Sequence, residues 1–229
     1  MNCWCNGKLY RCFHNEYFRC SSCGTFVSRN NTPQDFYDFK KFWYERQEEV
    51  NGHPNIEKRA KLDFFNRIPF WWERIKNLEI RSVLEIGCGH GGFLHYCKSN
   101  GVEECLGIEI SEGTCDFARK EFGLDILCGT FPDVDIKREF DLVCGFDVIE
   151  HLIDPVLALN KMKLLGKYIM IQIPVYRGGN KTKSFISIAH QYIFTEESIR
   201  HLFSELGIKI ISSCNGCFEE DMTLIGEVI

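Results

Sequence analysis

Residues 83–93 read V-L-E-I-G-C-G-H-G-G-F. Val83, Leu84 and Ile86 make a short apolar run of the kind found in a strand buried on both faces of a parallel sheet. Gly87, Gly89 and Gly91 then clear side chains from a turn, so that a bulky ligand can lie against bare backbone. Phe93, Leu94 and Cys97 follow at helical spacing. Strand, glycine turn and helix in that order describe a cradle for a nucleotide-type cofactor.

Three further segments extend the pattern. Residues 105–110, C-L-G-I-E-I, form a second apolar strand ending at Glu109, where a carboxylate can accept from both hydroxyls of a ribose. A solvated glutamate at a strand end is the plainer reading of the same residue. Gly123 and residues 124–131, L-D-I-L-C-G-T-F, give a third strand and its exit. Residues 140–151, F-D-L-V-C-G-F-D-V-I-E-H, give a fourth, with Asp141 at its start. Phe146, Asp147, Val148 and His151 fall just past its carboxyl end, where open α/β sheets hold ligands.

The turn alone also suits a dinucleotide-binding G-x-G-x-x-G, because both Gly91 and Gly92 are present. Glu85, Glu109 and the fourth segment together favour another family. The chain from about residue 81 to 229 resembles the class I S-adenosylmethionine-dependent methyltransferases, whose first motif is an acid followed by G-x-G-x-G. The resemblance implies an α/β fold with a doubly wound, seven-stranded, mostly parallel sheet whose last strand is antiparallel. It implies S-adenosylmethionine as cofactor, with Gly87, Cys88, Gly89 and Gly91 around its methionine part and Glu85 anchoring that turn. Glu109 and Ile110 take the ribose, while Phe146, Asp147 and Val148 line the next loop. Many relatives place an acid for the adenine amino group where this chain has Thr130. Cys128, Gly129 and Phe131 then offer backbone bonds or an apolar face there, or simply pack the core.

Composition bounds the rest. A chain of 229 residues with 45% hydrophobic content holds one full α/β domain and a small appendage. A net charge of −5 argues against a polyanionic substrate and so against nucleic acid. No apolar run reaches the roughly 18 to 20 residues of a membrane span, and the first residues lack a signal-peptide pattern. The expected location is the cytoplasm. Of the thirteen cysteines, those along the main domain, such as Cys105 and Cys144 on strands, read as reduced core thiols.

The remaining cysteines crowd the beginning. Cys3-x-Cys5 and Cys20-x2-Cys23 flank an aromatic and basic stretch and suit a structural, tetrahedral Zn²⁺ in a segment too short for its own core. Gly24 fits a knuckle turn. Many bacterial sugar methyltransferases carry a similar cysteine module, with C-x2-C in both halves, so the resemblance narrows to the sugar or small-molecule type. The shorter first pair strains joint ligation and leaves Cys12 and His14 as substitutes; unliganded cysteines are the other reading. The chain then divides into a module at 1–30, a linker and cover at 31–80, and a cofactor-binding domain at 81–229. Within the cover, Phe36, Tyr37, Phe39, Phe42, Trp43 and Tyr44 either pack on the sheet or shield the site. Residues 56–78 predict helix, break and helix, with Pro69 as the breaker.

Downstream, Asp154 and Pro155 open an amphipathic helix over 155–165, and Thr195 caps another over 195–206. Strands are expected at 168–173, ending at Pro174, and at 208–212 and 222–229. Residues 189–195, A-H-Q-Y-I-F-T, resemble a sugar-methyltransferase segment in which a glutamate and a histidine precede an aromatic residue. His190 falls on the histidine and is a candidate base for an acceptor hydroxyl or an enolisable carbon. Ala189 replaces the glutamate, so an orienting partner must come from elsewhere. His151 is a second candidate, and either histidine can equally fill a polar notch. Tyr176, Arg177 and Tyr192 are candidate acceptor contacts, with 177–181 read as a mobile loop.

The expected function is methyl transfer from S-adenosylmethionine to a small molecule, a sugar or nucleotide-sugar in polysaccharide or related biosynthesis. Two alternatives stay open: a non-catalytic cofactor-binding partner protein, and a tRNA or protein methyltransferase that uses the cysteine module for recognition.

Overall fold

The computed structural model of this chain describes residues 2–12, 15–29, 55–178 and 190–229. The aromatic cover at 36–44, His14, Ala189 and residues 179–181 lie outside the described residues. In chain order the strands are β1 (Leu9–Arg11), β2 (Tyr17–Cys20), β3 (Phe26–Ser28), β4 (Ser82–Ile86), β5 (Glu104–Glu109) and β6 (Asp125–Cys128). They continue as β7 (Phe140–Phe146), β8 (Gly166–Tyr176), β9 (Tyr192–Thr195), β10 (Ile208–Asn215) and β11 (Asp221–Val228). The helices are α1 (Ile56–Phe65), α2 (Arg67–Ile75), α3 (Gly92–Ser99), α4 (Glu112–Phe122), α5 (Pro155–Leu165) and α6 (Glu196–Glu205), with a 3₁₀ turn at Ile149–His151. All seven strands expected from the sequence are present; β1, β2, β3 and β9 add to them.

The chain gathers into two compact units. One consists of Gln34–Gly145 with Leu165–Lys167. Its strands lie in the order β7-β4-β5-β6, and every pairing is parallel. Val83, Leu84, Ile86, Ile108, Leu142 and Val143 are buried, as strands covered on both faces require. Asp141 ties the starts of β4 and β7 together: its Oδ2 accepts from the amides of Arg81 and Ser82 at 2.8 and 3.0 Å and from the Ser82 hydroxyl at 3.0 Å.

Asn55 caps α1 by accepting from the Lys58 amide. The break between α1 and α2 falls at Asn66 rather than at Pro69. Pro69 sits in the first turn of α2, where a missing N–H removes no intrahelical bond.

The other unit consists of Met1–Pro33, Phe146–Leu164 and Tyr168–Ile229. Here β1, β2 and β3 form an antiparallel meander, and β3 continues it by pairing antiparallel with β9. Strand β9 runs parallel to the end of β8, through Val175 with Phe194 and Tyr176 with Thr195. On β8, residues Tyr168 to Pro174 pair antiparallel with β11, which pairs antiparallel with β10. The antiparallel last strand expected from the sequence is therefore present. Pro174 does not end its strand, because the next amide, of Val175, supplies a bond to the Glu220 carbonyl at 2.9 Å. Both expected caps form: Asp154 Oδ1 accepts from the Leu157 amide, and Thr195 makes a reciprocal capping box with Ser198.

Candidate functional site

The turn between β4 and α3 is built by its glycines. Gly87, Gly89 and Gly91 have φ of 64°, 51° and 76°, in the left-handed region that side chains disfavour. A Cβ at Gly89 would meet nothing within 4 Å, so that face of the backbone is bare. A Cβ at Gly91 would lie 2.7 Å from Leu124 Cδ1, so Gly91 also permits close packing. His90 fastens the turn. Its Nδ1 accepts from the Gly92 amide at 3.0 Å, which places the proton on Nε2, 3.1 Å from Asp63 Oδ2. Burial works against charge on Asp63, yet the His90 hydrogen bond and the Arg59 and Arg67 guanidiniums hold its carboxyl below the usual range. Arg59 Nε reaches the same oxygen at 2.9 Å.

Two buried carboxylates flank the turn. Glu109, at the end of β5, accepts from the Ser111 amide at 2.9 Å through Oε1 and from the Gly89 amide at 3.1 Å through Oε2. Burial still raises its pKa. Glu85, on β4, is 4% exposed, and its Oε2 has no hydrogen-bond partner among the described residues. Burial, reinforced by the charge of Glu109, pushes Glu85 well above the usual carboxylate range.

The second unit holds two clusters. Cys3, Cys5, Cys20 and Cys23 bring their sulfurs together, with Cys3–Cys23 and Cys5–Cys20 at 3.4 Å and Cys3–Cys5 at 3.6 Å. The edge of a tetrahedron with Zn–S of about 2.3 Å is about 3.8 Å, so the four thiols fit a zinc ion. The single residue between Cys3 and Cys5 does not keep them apart: Asn6 adopts φ 58° and its amide bonds to the Cys3 carbonyl, which folds the pair into one corner. Cys12 is no substitute ligand, since its thiol donates to the Tyr17 carbonyl at 3.2 Å. Accepting from the Cys3 thiol pushes Cys23 down to about 4, a thiolate that a cation would complete. Gly24 makes the knuckle turn expected of it, with φ 77° and its amide bonded to the Cys20 carbonyl.

The other cluster joins Glu150, His151 and His190. Glu150 is 1% exposed, and its Oε1 lies 3.7 Å from His151 Nε2. The rings of His151 and His190 meet edge to face with centroids 4.7 Å apart. Their backbones are tied as well, because the Gln191 amide donates to the Glu150 carbonyl at 2.8 Å and the Tyr17 hydroxyl to the His190 carbonyl at 3.2 Å.

Residues 55–213, most of the chain, match a family model described as a methyltransferase domain. The chain belongs to that methyltransferase-domain family. Solved structures agree on the fold. The chain aligns with an S-adenosylmethionine-dependent methyltransferase from Clostridium acetobutylicum at TM-score 0.61 and 14% identity, covering 83% of this chain and 98% of that one. It aligns with magnesium protoporphyrin IX methyltransferase from Synechocystis, with bound S-adenosylhomocysteine, at TM-score 0.62 and 15% identity, covering 85% and 97%. The α/β, Rossmann-like methyltransferase fold expected from the sequence is the fold observed. A curated relative, the ubiquinone biosynthesis O-methyltransferase of Bradyrhizobium diazoefficiens, is 27% identical over 90 residues, which are 37% of this chain and 35% of that protein. The matches span about a third or less of the length of the curated relatives.

In this methyltransferase domain the residues singled out in the sequence take several positions. Cys88 is buried, its sulfur close to where a Cβ on Gly107 would stand, and Ile110 is half-buried beyond β5. Phe131 is buried beyond β6. Phe146 ends β7, Asp147 takes φ 57° with its amide bonded to the Gln172 carbonyl, and Val148 leads into the 3₁₀ turn. Arg177 donates to the carbonyls of Glu219 and Asp221 and to Asn215 Oδ1, fastening the β10–β11 connection. Tyr192 is buried, its hydroxyl donating to the Ile153 carbonyl at 3.0 Å, and burial pushes it up to about 12. Tyr176 packs edge to face on Phe26 at 5.0 Å.

The sequence reading passed over Asp63, His90 and Glu150. Glu150, one residue from His151, brings a carboxylate oxygen within 4.8 Å of a ring nitrogen of His190. Beside the bare Gly89, the buried Glu85 Oε2 has no hydrogen-bond partner among the described residues, a negative charge that a cationic group nearby would compensate. No helix among the described residues is long and apolar enough to cross a membrane.

Proposed function

We propose that this chain is an S-adenosylmethionine-dependent methyltransferase acting on a small molecule, a sugar or nucleotide-sugar in polysaccharide or related biosynthesis. The observation that carries the reading is the left-handed glycine turn with Gly89 bare and the buried carboxylates of Glu85 and Glu109 beside it. The bound cofactor supplies an electrophilic methyl group, so the protein mainly has to orient its partners. The glycine turn anchored by Glu85 takes the methionine part, Glu109 the ribose hydroxyls, and Cys88, Ile110 and Phe131 the surrounding apolar surface. Phe146, Asp147 and Val148, in the loop after β7, keep the cofactor-binding role that the resemblance implies for them.

The cluster of His190, His151 and Glu150 handles the acceptor proton. Support for a carbohydrate acceptor comes from the resemblance of the cysteine module and of the 189–195 segment to sugar methyltransferases. Cys3, Cys5, Cys20 and Cys23 hold a structural zinc ion in the module at 1–30, ahead of a cover at 31–80 and the catalytic domain at 81–229. Thiols that form no disulfide among the described residues suit a reducing, cytoplasmic setting.

Titration calorimetry with S-adenosylhomocysteine tests the donor site. The wild type should bind in the micromolar range and Glu109→Ala at least tenfold more weakly; absence of heat with the wild type overturns the proposal. Methyl-labelled donor offered with nucleotide-sugars, and separately with phenols, then assigns the acceptor class.

A further inference from the structure

The Glu150, His151 and His190 cluster has a composition that a metal-free base does not require. One ligand atom from each of the three residues lies within 4.8 Å of the others, one of them a carboxylate oxygen on a residue 1% exposed. Two imidazoles and one carboxylate are the donor set that divalent first-row transition cations take with coordination positions left over. The thiolate cluster offers only soft ligands, whereas this one offers nitrogen and oxygen, so the two differ in the ion each prefers.

The frame is also fixed in the way a ligand set needs. His151 and Glu150 share one 3₁₀ turn, whose His151 amide bonds to the Val148 carbonyl at 3.0 Å. His190 is held from outside by the Tyr17 hydroxyl, and the neighbouring Gln191 amide binds the Glu150 carbonyl. The three ligand atoms lie at most 4.8 Å apart, against the roughly 3.4 Å edge expected of a tetrahedral site with bonds of about 2.1 Å.

We propose that Glu150, His151 and His190 form a second metal site, for a divalent first-row transition cation, whose open positions take an oxygen of the acceptor. The acceptor part rests on the methyl-transfer reading; the ion itself does not. An acceptor hydroxyl on the ion would be oriented and made acidic enough to pass its proton to solvent, so that neither imidazole has to act as a free base. The ubiquinone biosynthesis relative, named as an O-methyltransferase, agrees with oxygen as the acceptor atom.

The test uses the full chain. Purified after growth with cobalt, the protein should contain two equivalents of metal by mass spectrometry. One should show thiolate-to-cobalt charge transfer and the other only the weaker bands of nitrogen and oxygen ligation. Manganese, which disfavours thiolates, should titrate one site in the wild type and bind at least tenfold more weakly to Glu150→Gln and to His190→Asn. Cys23→Ser should lose the thiolate signal and keep the manganese site. Circular dichroism and S-adenosylhomocysteine titration of each variant confirm a folded donor site. One equivalent of cobalt with thiolate bands alone, no saturable manganese binding by the wild type, or manganese binding unchanged in both variants overturns the site. Those results leave the methyl-transfer reading standing, because S-adenosylhomocysteine binding is measured in the same samples.

Discussion

At Glu85 the charge that suits a ligand burdens the free protein. Its carboxyl is raised by burial first and by Glu109 second, so the unfolded chain gives up this proton at a lower pH than the folded one. The folded state then binds more protons, and stability drains away as pH rises above about 4.5. Glu85→Gln removes that penalty. It should melt several degrees above the wild type at pH 8, with the gap closing by pH 4.5, while its affinity for the cofactor falls about tenfold, near 1.4 kcal/mol. Thermal melts at the two pH values and calorimetry check both halves; an equal gap at both pH values contradicts the assignment. Glu85 was legible in the sequence because an acid two residues before the first glycine is a local pattern. Asp63 and Glu150 were not, since their value comes from partners: Asp63 from His90, distant along the chain, and Glu150 from an imidazole that only the fold returns to it.

Among the elements, α1 does more than cover the sheet. It carries Asp63, which holds His90 and through it the Gly92 amide that opens α3. Asp63→Asn keeps the shape and weakens the charge-assisted bond to His90. It should cost about 1 to 3 kcal/mol of stability and lower cofactor affinity several-fold. Denaturant unfolding measures the first; the second is read by titration, and an unchanged affinity would mean that the turn keeps its form without α1. The apolar periodicity of residues 56–78 gave two helices, but composition pointed to Pro69 as the boundary and geometry chose Asn66. A proline early in a helix is compatible with it, and sequence spacing does not reveal where a first turn begins. Strand β9 was illegible for another reason. Four residues carry little periodic signal, and β9 is a strand because β3 and β8 flank it.

For the molecule as a whole, the cysteine module is bound to the unit that holds the histidine pair by a shared ladder. Phe26 and Val27 pair with Ile193 and Tyr192, and Trp4 meets His201 of α6 with ring centroids 5.7 Å apart. Removing zinc with a strong chelator, or replacing Cys20 by Ser, should lower the melting temperature by several degrees and expose the amides of β3 and β9 to hydrogen exchange. Unchanged exchange at Ile193 would place the module's stability in its packing alone. The same ladder bears on synthesis. The ribosome delivers Phe26 long before Ile193, so the early strands wait, edge unpaired, until most of the polypeptide has emerged. A zinc ion captured early by the four cysteines would hold that hairpin while its edge waits, and zinc starvation should then show first as a poorer yield of newly made protein.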